Sequence, residues 1–431
     1  MHTTFSGDFL LGAATAAHQV EGNNTKSDLW AMEHMVHTSF EEPSGIACDH
    51  YHRYPEDIKL MKQAGLTCYR FSIEWARVEP EEGVFDKKEI SHYRDVIRCC
   101  KENGIEPVVT LHHFSSPKWL ITKGGWEADT TPEDFAAYVR VLMKELGSEL
   151  SWICTINEAN MGLQVAEIAE RYKKQMMAKM QRSGQDSSVQ MGMNLEKMMQ
   201  QQKEAAKETL EVFGTPKCEN FTSPRTEHGD EIVQRAHILA RKVIRELAPQ
   251  AKVGLTLSLH DVQALPGGEE FAAGIWEREF LRYLPIMQED DFLGVQNYTR
   301  SVYDQNGLCT VPEGTECTQM GYEFYPEGLG HVLRRVAQDF HKDLFVTENG
   351  IATEDDSRRI AYLSRALSGV QDCIRDGLPV RGYTYWSLLD NFEWQKGYSM
   401  KFGLIAVDRK TMERTPKESL SYLGSYAGGR A

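Results

Sequence analysis

The stretches Trp152-Ile153-Cys154-Thr155-Ile156-Asn157-Glu158 and Leu344-Phe345-Val346-Thr347-Glu348-Asn349-Gly350 share one plan. Each is a short apolar run of β type that ends at a glutamate. Runs like these recur along the chain at Phe9–Ala16, Cys68–Ile73, Pro107–His112, Trp152–Asn157, Val253–Leu259, Phe292–Tyr298, Leu344–Glu348 and Val380–Leu388, which makes eight candidate strands. They are rich in Val, Ile and Leu, as strands of a parallel sheet covered by helices are.

Between the runs the period changes to that of helices. Pro132–Leu146 is the clearest case, with Phe135, Tyr138, Val139, Leu142, Met143 and Leu146 on one apolar stripe. Thr131 is the expected N-cap, Pro132 suits the first turn, and Gly147 closes the helix. Further helices are predicted at Pro55–Ala64, Lys88–Asn103, Asp230–Leu247, Gly328–Phe340, Asp355–Asp376 and Glu418–Tyr426. Eight β-then-α units predict an α/β fold, a single (β/α)8 TIM barrel with inserted helices and loops at its catalytic face. An open doubly wound sheet is the alternative, but it normally carries a Gly-rich phosphate loop after an early strand, and the chain has none. No Pro/Ser-rich linker divides the sequence, so residues 1–431 are expected to be one domain.

Met161–Glu219 breaks the rhythm. It is helix-prone, polar and rich in methionine (Met176, Met177, Met180, Met191, Met193, Met198 and Met199), with Gly184 and Gly192 expected to divide it into two or more helices. Following directly on the Glu158 strand, it should rise over the catalytic face. Its methionines are either a wall that adapts to varied leaving groups or, more plainly, gap-fillers in a structural cap.

Composition bounds the function. A net charge of −15 disfavours nucleic acid and anionic membranes as partners. The apolar fraction of 41% and charged fraction of 26% are those of an ordinary soluble protein. Nine cysteines, an odd number with no zinc-site spacing, fit a reducing compartment, and the expected location is cytoplasmic. A Cys309–Cys317 bridge across one loop is the alternative. Met1–Gly12 has neither the basic flank nor the apolar core of a signal peptide, and no run approaches the ~18 apolar residues of a membrane span.

Two carboxylates delivered from different strand ends suit the cleavage of a glycosidic bond, where one protonates the departing oxygen and the other attacks or stabilises the sugar carbon. In a (β/α)8 enzyme the site lies at the C-terminal mouth of the barrel. Gln19, Arg70, His113, Asn157, Glu158, Gln296, Tyr298, Glu348, Glu393 and Trp394 all fall at or near predicted strand ends. Each alone has a structural explanation, as an ion pair, a hydrogen-bonded histidine or a core aromatic. Their coincidence points to a site.

These residues sit in blocks that resemble glycoside hydrolase family 1, the retaining β-glucosidase-like enzymes, from about Phe9 to Tyr426. The blocks are F-L-L-G-A-A-T-A-A-H-Q-V-E-G (Phe9–Gly22), D-H-Y-H-R-Y-P-E-D-I (Asp49–Ile58), Y-R-F-S-I-E-W-A-R (Tyr69–Arg77), T-L-H-H-F (Thr110–Phe114), T-I-N-E, T-E-N-G and Y-W-S-L-L-D-N-F-E-W (Tyr385–Trp394). The resemblance implies Glu158 as acid/base and Glu348 as nucleophile, supported by Arg70 and Tyr298. It implies sugar contacts from Gln19, His113, Asn157, Gln296, Glu393 and Trp394, with Trp386 flooring the pocket. It implies a small β-glycoside as substrate, no cofactor and no metal. Retention of configuration would require carboxyls about 5–5.5 Å apart.

The sequence also departs from the family pattern. Ala159 follows the acid/base where proline is usual, which removes a rigid turn and is expected to loosen Glu158. Gln296 replaces an asparagine, and Phe114 stands where many members have tryptophan. Relatives that cleave 6-phosphoglycosides place Ser, Lys and Tyr where this chain has Glu393, Met400 and Phe402. A carboxylate facing a phosphate repels it, and Met and Phe supply no compensating charge. A sugar-binding protein without catalysis would be expected to lack one of the carboxylates, and both are present. Transglycosylation requires only an acceptor that outcompetes water, and the same residues would serve it.

Overall fold

Eight parallel strands close into a barrel in the computed structural model, which describes residues 3–185 and 195–428; the side chains of residues 175–185, 195–199, 201 and 202 fall outside that description. The strands are β1 (Leu10–Ala14), β2 (Cys68–Ser72), β3 (Glu106–His112), β4 (Trp152–Ile156), β5 (Lys252–Ser258), β6 (Phe292–Gln296), β7 (Asp343–Glu348) and β8 (Val380–Trp386). Each pairs with its neighbours in sequence, and β8 returns to β1 with Leu10 opposite Gly382 and Ala14 opposite Trp386. All eight predicted runs are barrel strands. Several end sooner than predicted because the chain leaves the sheet to build the mouth. After β1 it turns into the short helix Ala17–Val20, and after β6 the Asn297 N–H bonds the Glu348 carbonyl at 3.2 Å.

The interior is filled in layers. Low in the barrel, Cys68, Val108, Cys154, Phe292 and Phe345 form one buried cluster, with Leu10 and Trp152 packed against it. Two of these are cysteines acting as small hydrophobes. Two residues further along β2 and β3, on the same face of the pleat, come Arg70 and Thr110, where the interior turns polar.

The helix expected at Pro132–Leu146 spans Thr131–Leu146, and the six stripe residues are buried. Thr131 is not its N-cap. It is the first helical residue, and its hydroxyl donates to the Gly125 carbonyl at 2.6 Å, so Thr130 takes the cap position without a side-chain bond. The helix expected to start at Pro55 begins at His50 and carries Pro55 inside it. His50 is held there by Asp57 at 2.7 Å, two residues beyond the proline. Helices at Lys87–Glu102, Glu227–Leu247, Gly328–Val336, Asp356–Arg375 and Glu418–Gly424 lie close to their predicted spans.

Among the described residues the insert contains two helices, Met161–Gln185 and Leu195–Phe213. Gly184 lies within the first rather than interrupting it, because a single glycine costs a helix only about 1 kcal/mol. Gly192, Met191 and Met193, and the side chains of Met176, Met177, Met180, Met198 and Met199, lie outside the described residues. A small sheet of Asp261–Ala264, Arg300–Asp304 and Gly307–Leu308 adds to the mouth beyond β5 and β6. Among the described residues no helix is long and apolar enough to cross a membrane.

Closure of the barrel demands close backbone approach at Gly12 of β1. A Cβ there would stand 1.9 Å from the Cys68 carbonyl oxygen of β2. Gly12→Ala is expected to lower unfolding stability by about 1–3 kcal/mol, read from a shifted urea midpoint. An unchanged midpoint would mean that β1 and β2 separate without cost.

Candidate active site

Arg70 projects from β2 into the barrel and is fully buried. Its guanidinium donates to Thr110 Oγ1 of β3 at 3.1 Å and to Asn157 Oδ1 just past β4 at 2.6 Å. It also donates to the Thr347 carbonyl and Glu348 Oε1 of β7, at 3.1 and 2.6 Å. One cation thus joins four strands.

Glu348 reaches this cation through an irregularity. The β6–β7 register shifts between Val346 and Glu348, so that Glu348 pairs with Gln296. A bulge of this kind re-aims a side chain, here into the mouth. The second carboxylate oxygen of Glu348 accepts from the Tyr298 hydroxyl at 2.6 Å. Burial pushes the Glu348 pKa up, while the Arg70 charge and the bonds from Tyr298 and Arg70 pull it back.

Glu158 lies in a different environment. Its residue adopts φ 44°, a left-handed conformation that costs a non-glycine about 1–3 kcal/mol. The surrounding chain holds it there. The Glu158 N–H donates to Thr256 Oγ1 at 2.9 Å, and the Ala159 N–H to the Thr256 carbonyl at 3.0 Å. The side chain is 5% exposed. Burial raises its pKa well above the ordinary value, and the negative charge of Glu348 raises it further, against the pull of the Arg70 charge and a bond from Ser258. The loosening expected from Ala159 in place of proline is therefore offset, because Ala159 retains an N–H that proline lacks and uses it to bond β5.

The remaining predicted residues gather around these two. Asn157 Nδ2 donates to His113 Nε2 at 3.1 Å. Burial and the Arg70 charge keep His113 neutral, far below its ordinary pKa, which leaves its proton on Nδ1. That Nδ1 is buried without a hydrogen-bond partner, and so is Gln19 Oε1. Gln19 Nε2 meanwhile bonds the Phe392 carbonyl at 2.7 Å and Glu393 Oε2 at 3.3 Å. Glu393 is pushed up to about 8, first by burial and then by the Glu348 charge, against the Gln19 bond. The Trp386 ring lies 5.5 Å from His113 and nearly parallel to it, and Trp394 packs between His18, His113 and Phe114.

Gln296 differs in kind from the others. It is fully buried, and its amide donates to Asn157 Oδ1 at 2.8 Å and Thr256 Oγ1 at 3.3 Å. Its amide nitrogen braces Asn157 from behind. Phe402 is buried against Trp386, and Met400 packs on the same cluster. Lys401 turns away, with its ammonium on the Tyr398 carbonyl at 2.9 Å.

Sequence reasoning missed Thr256, a hydroxyl residue within an otherwise apolar strand that carries no motif, and gave no role to Thr110 at the head of the T-L-H-H-F block.

Comparison with known proteins agrees with this geometry. The family model of glycosyl hydrolase family 1 matches residues 1–183 and 282–428. β-Glucosidase A of Acetivibrio thermocellus is 31% identical, with 96% of each chain covered. A 6-phospho-β-galactosidase of Lacticaseibacillus rhamnosus is 29% identical, again with 96% of each covered. The crystal structure of β-glycosidase BGL167 superposes with a TM-score of 0.87 at 43% identity, covering 98% of this chain and 97% of that one. With two buried glutamates at the mouth of a (β/α)8 barrel and a family match over most of its length, the chain belongs to glycosyl hydrolase family 1 and is a glycoside hydrolase.

Proposed function

We propose that the chain hydrolyses terminal non-reducing β-D-glycosyl residues, glucose foremost and galactose or fucose as alternatives, with retention of configuration. The observation that carries this reading is the unlike pair of carboxylates. Glu348 has a cation and a phenol on its two oxygens, whereas Glu158 is buried without a cation bonded to it. The pair releases its first proton from Glu348 and keeps the second on Glu158.

Glu348 then attacks the anomeric carbon as the bond from that carbon to the leaving oxygen breaks. The leaving oxygen takes the proton of Glu158, and a covalent glycosyl-enzyme forms. Esterification removes the charge of Glu348, so the Glu158 pKa falls, and its carboxylate now accepts a proton from water. The water oxygen attacks the anomeric carbon, and Glu348 leaves as carboxylate. Among the buried polar atoms without a partner, His113 Nδ1–H is a donor, and Gln19 Oε1 and Gln296 Oε1 are acceptors, for sugar hydroxyls. Glu393 and Trp394 bind beside them, Asn157 serves the 2-hydroxyl, and Trp386 floors the pocket. We assign Gln296 to support of Asn157.

The absence of a cation from the Glu393, Met400 and Phe402 corner supports unphosphorylated substrates. Residues 1–431 are read as one catalytic unit with its cap at about 161–219. Nine free cysteines, five of them buried, and a net charge of −15 support a cytoplasmic setting without nucleic-acid or membrane partners.

Nitrophenol release from β-glucoside, β-galactoside, β-fucoside, 6-phospho-β-glucoside and an α-glucoside tests the reading. Turnover of the unphosphorylated β-substrates is expected, and turnover of the phosphorylated one alone would overturn it. Glu348→Gln is expected to remove activity on every substrate. Glu158→Gln should slow glycosylation by about 10²–10⁴-fold for poor leaving groups and leave dinitrophenyl substrates nearly untouched in that step.

The kcat/KM profile should be bell-shaped, its acid limb following ionisation of Glu348 and its basic limb loss of the Glu158 proton. The Tyr298 hydroxyl stabilises the ionised form of Glu348, so Tyr298→Phe raises that pKa and should move the acid limb to higher pH. A limb that stays in place or moves down would count against Glu348 as the group that must ionise.

A further inference from the structure

We infer that Arg225 is a positioning residue for the proton donor Glu158, acting through the carbonyl of Ala159. This rests on the reading of Glu158 as the general acid. Arg225 lies just past the insert, next to Thr226, the N-cap of the helix Glu227–Leu247. Its side chain is 2% exposed. Nη1 donates to the Ala159 carbonyl at 2.6 Å, and Nη2 to the Phe221 carbonyl at 2.9 Å. The Arg225 backbone N–H bonds the Gly162 carbonyl at 3.1 Å. Both contacts across the root of the insert meet the chain within four residues of Glu158.

Little else accounts for a guanidinium in this place. Its nearest carboxylate oxygen, on Asp230, is 3.9 Å away, and that group is itself bonded by Tyr283 at 2.5 Å. Its Nε has no partner. A buried cation so weakly paired is costly unless its remaining bonds serve a purpose. The surroundings are shaped to admit it. A Cβ on Gly162 would stand 2.6 Å from Arg225 Nε, and one on Gly229 would stand 2.8 Å from its Cγ. The guanidinium also stacks over Phe221, 4.5 Å from the ring centroid.

The bond to Ala159 matters because of where Ala159 is. Glu158 holds a left-handed φ, and Ala159 has no ring to fix its own. Thr256 fixes the two N–H groups of this turn from the barrel side, and Arg225 fixes its carbonyl from the insert side. Between them they set the direction of the Glu158 side chain. Arg225 bonds the carbonyl beside Glu158 rather than its carboxylate, so its effect is on the position of the acid.

The test is leaving-group dependence. A misplaced general acid harms substrates that need protonation and spares those that do not. Arg225→Met is expected to lower kcat/KM about tenfold or more for alkyl or phenyl β-glycosides and less than about threefold for the dinitrophenyl glycoside. Gly162→Ala, which displaces the guanidinium without removing it, should give the same selective pattern, and Arg225→Lys should recover part of the loss. If Arg225→Met does not fold, Gly162→Ala and Arg225→Lys carry the comparison.

Equal losses on both substrate classes, or no loss on either, would overturn the inference. Glu158→Gln is run alongside. If it is selective while the Arg225 and Gly162 variants are not, the positioning role fails alone. If Glu158→Gln is itself unselective, the assignment of the acid fails first.

Discussion

A single buried guanidinium organises the mouth of this barrel. Arg70 has no exposure to water, and a charge so placed costs several kcal/mol unless its donors are matched. Its partners come from β3, β7 and the end of β4, so the charge is compensated only when the barrel is closed and its register is correct. The same interaction keeps Glu348 ionisable in a buried setting and holds Asn157 against His113. Folding and chemistry therefore draw on one cation.

Around it the two glutamates are separated in role by environment. Glu348 sits on the cation and the phenol, while Glu158 sits on a strained turn braced by Thr256 and by Arg225. Two identical side chains acquire different proton affinities because burial acts on both and the cation is bonded to only one. The supports form a second tier that holds these groups in place. Thr256 and Gln296 both bond Asn157.

Much of this was legible beforehand. All eight strands follow from their apolar runs, and the helix at Thr131–Leu146 follows from its stripe, because burial on a regular element leaves a periodic trace. Ends and caps were less legible. Thr131 reads as an N-cap by type, yet its hydroxyl is taken by Gly125, a partner that the local sequence does not reveal. Pro55 reads as a helix start, yet His50 begins the helix earlier through Asp57. Gln296 reads as a sugar ligand by its strand-end position; its amide nitrogen bonds Asn157 and Thr256, links the sequence does not reveal, while its Oε1 has no partner.

The sequence by itself determined the barrel, the two glutamates and the polar residues at the strand ends, since each is written in local period or in a short contiguous block. Only the tertiary structure decided how a bulge before Glu348 and a positive φ at Glu158 aim the two carboxylates, and that Arg225 reaches back to Ala159. Those contacts join residues tens or hundreds of positions apart. They depend on register and direction, which exist only once the barrel has closed.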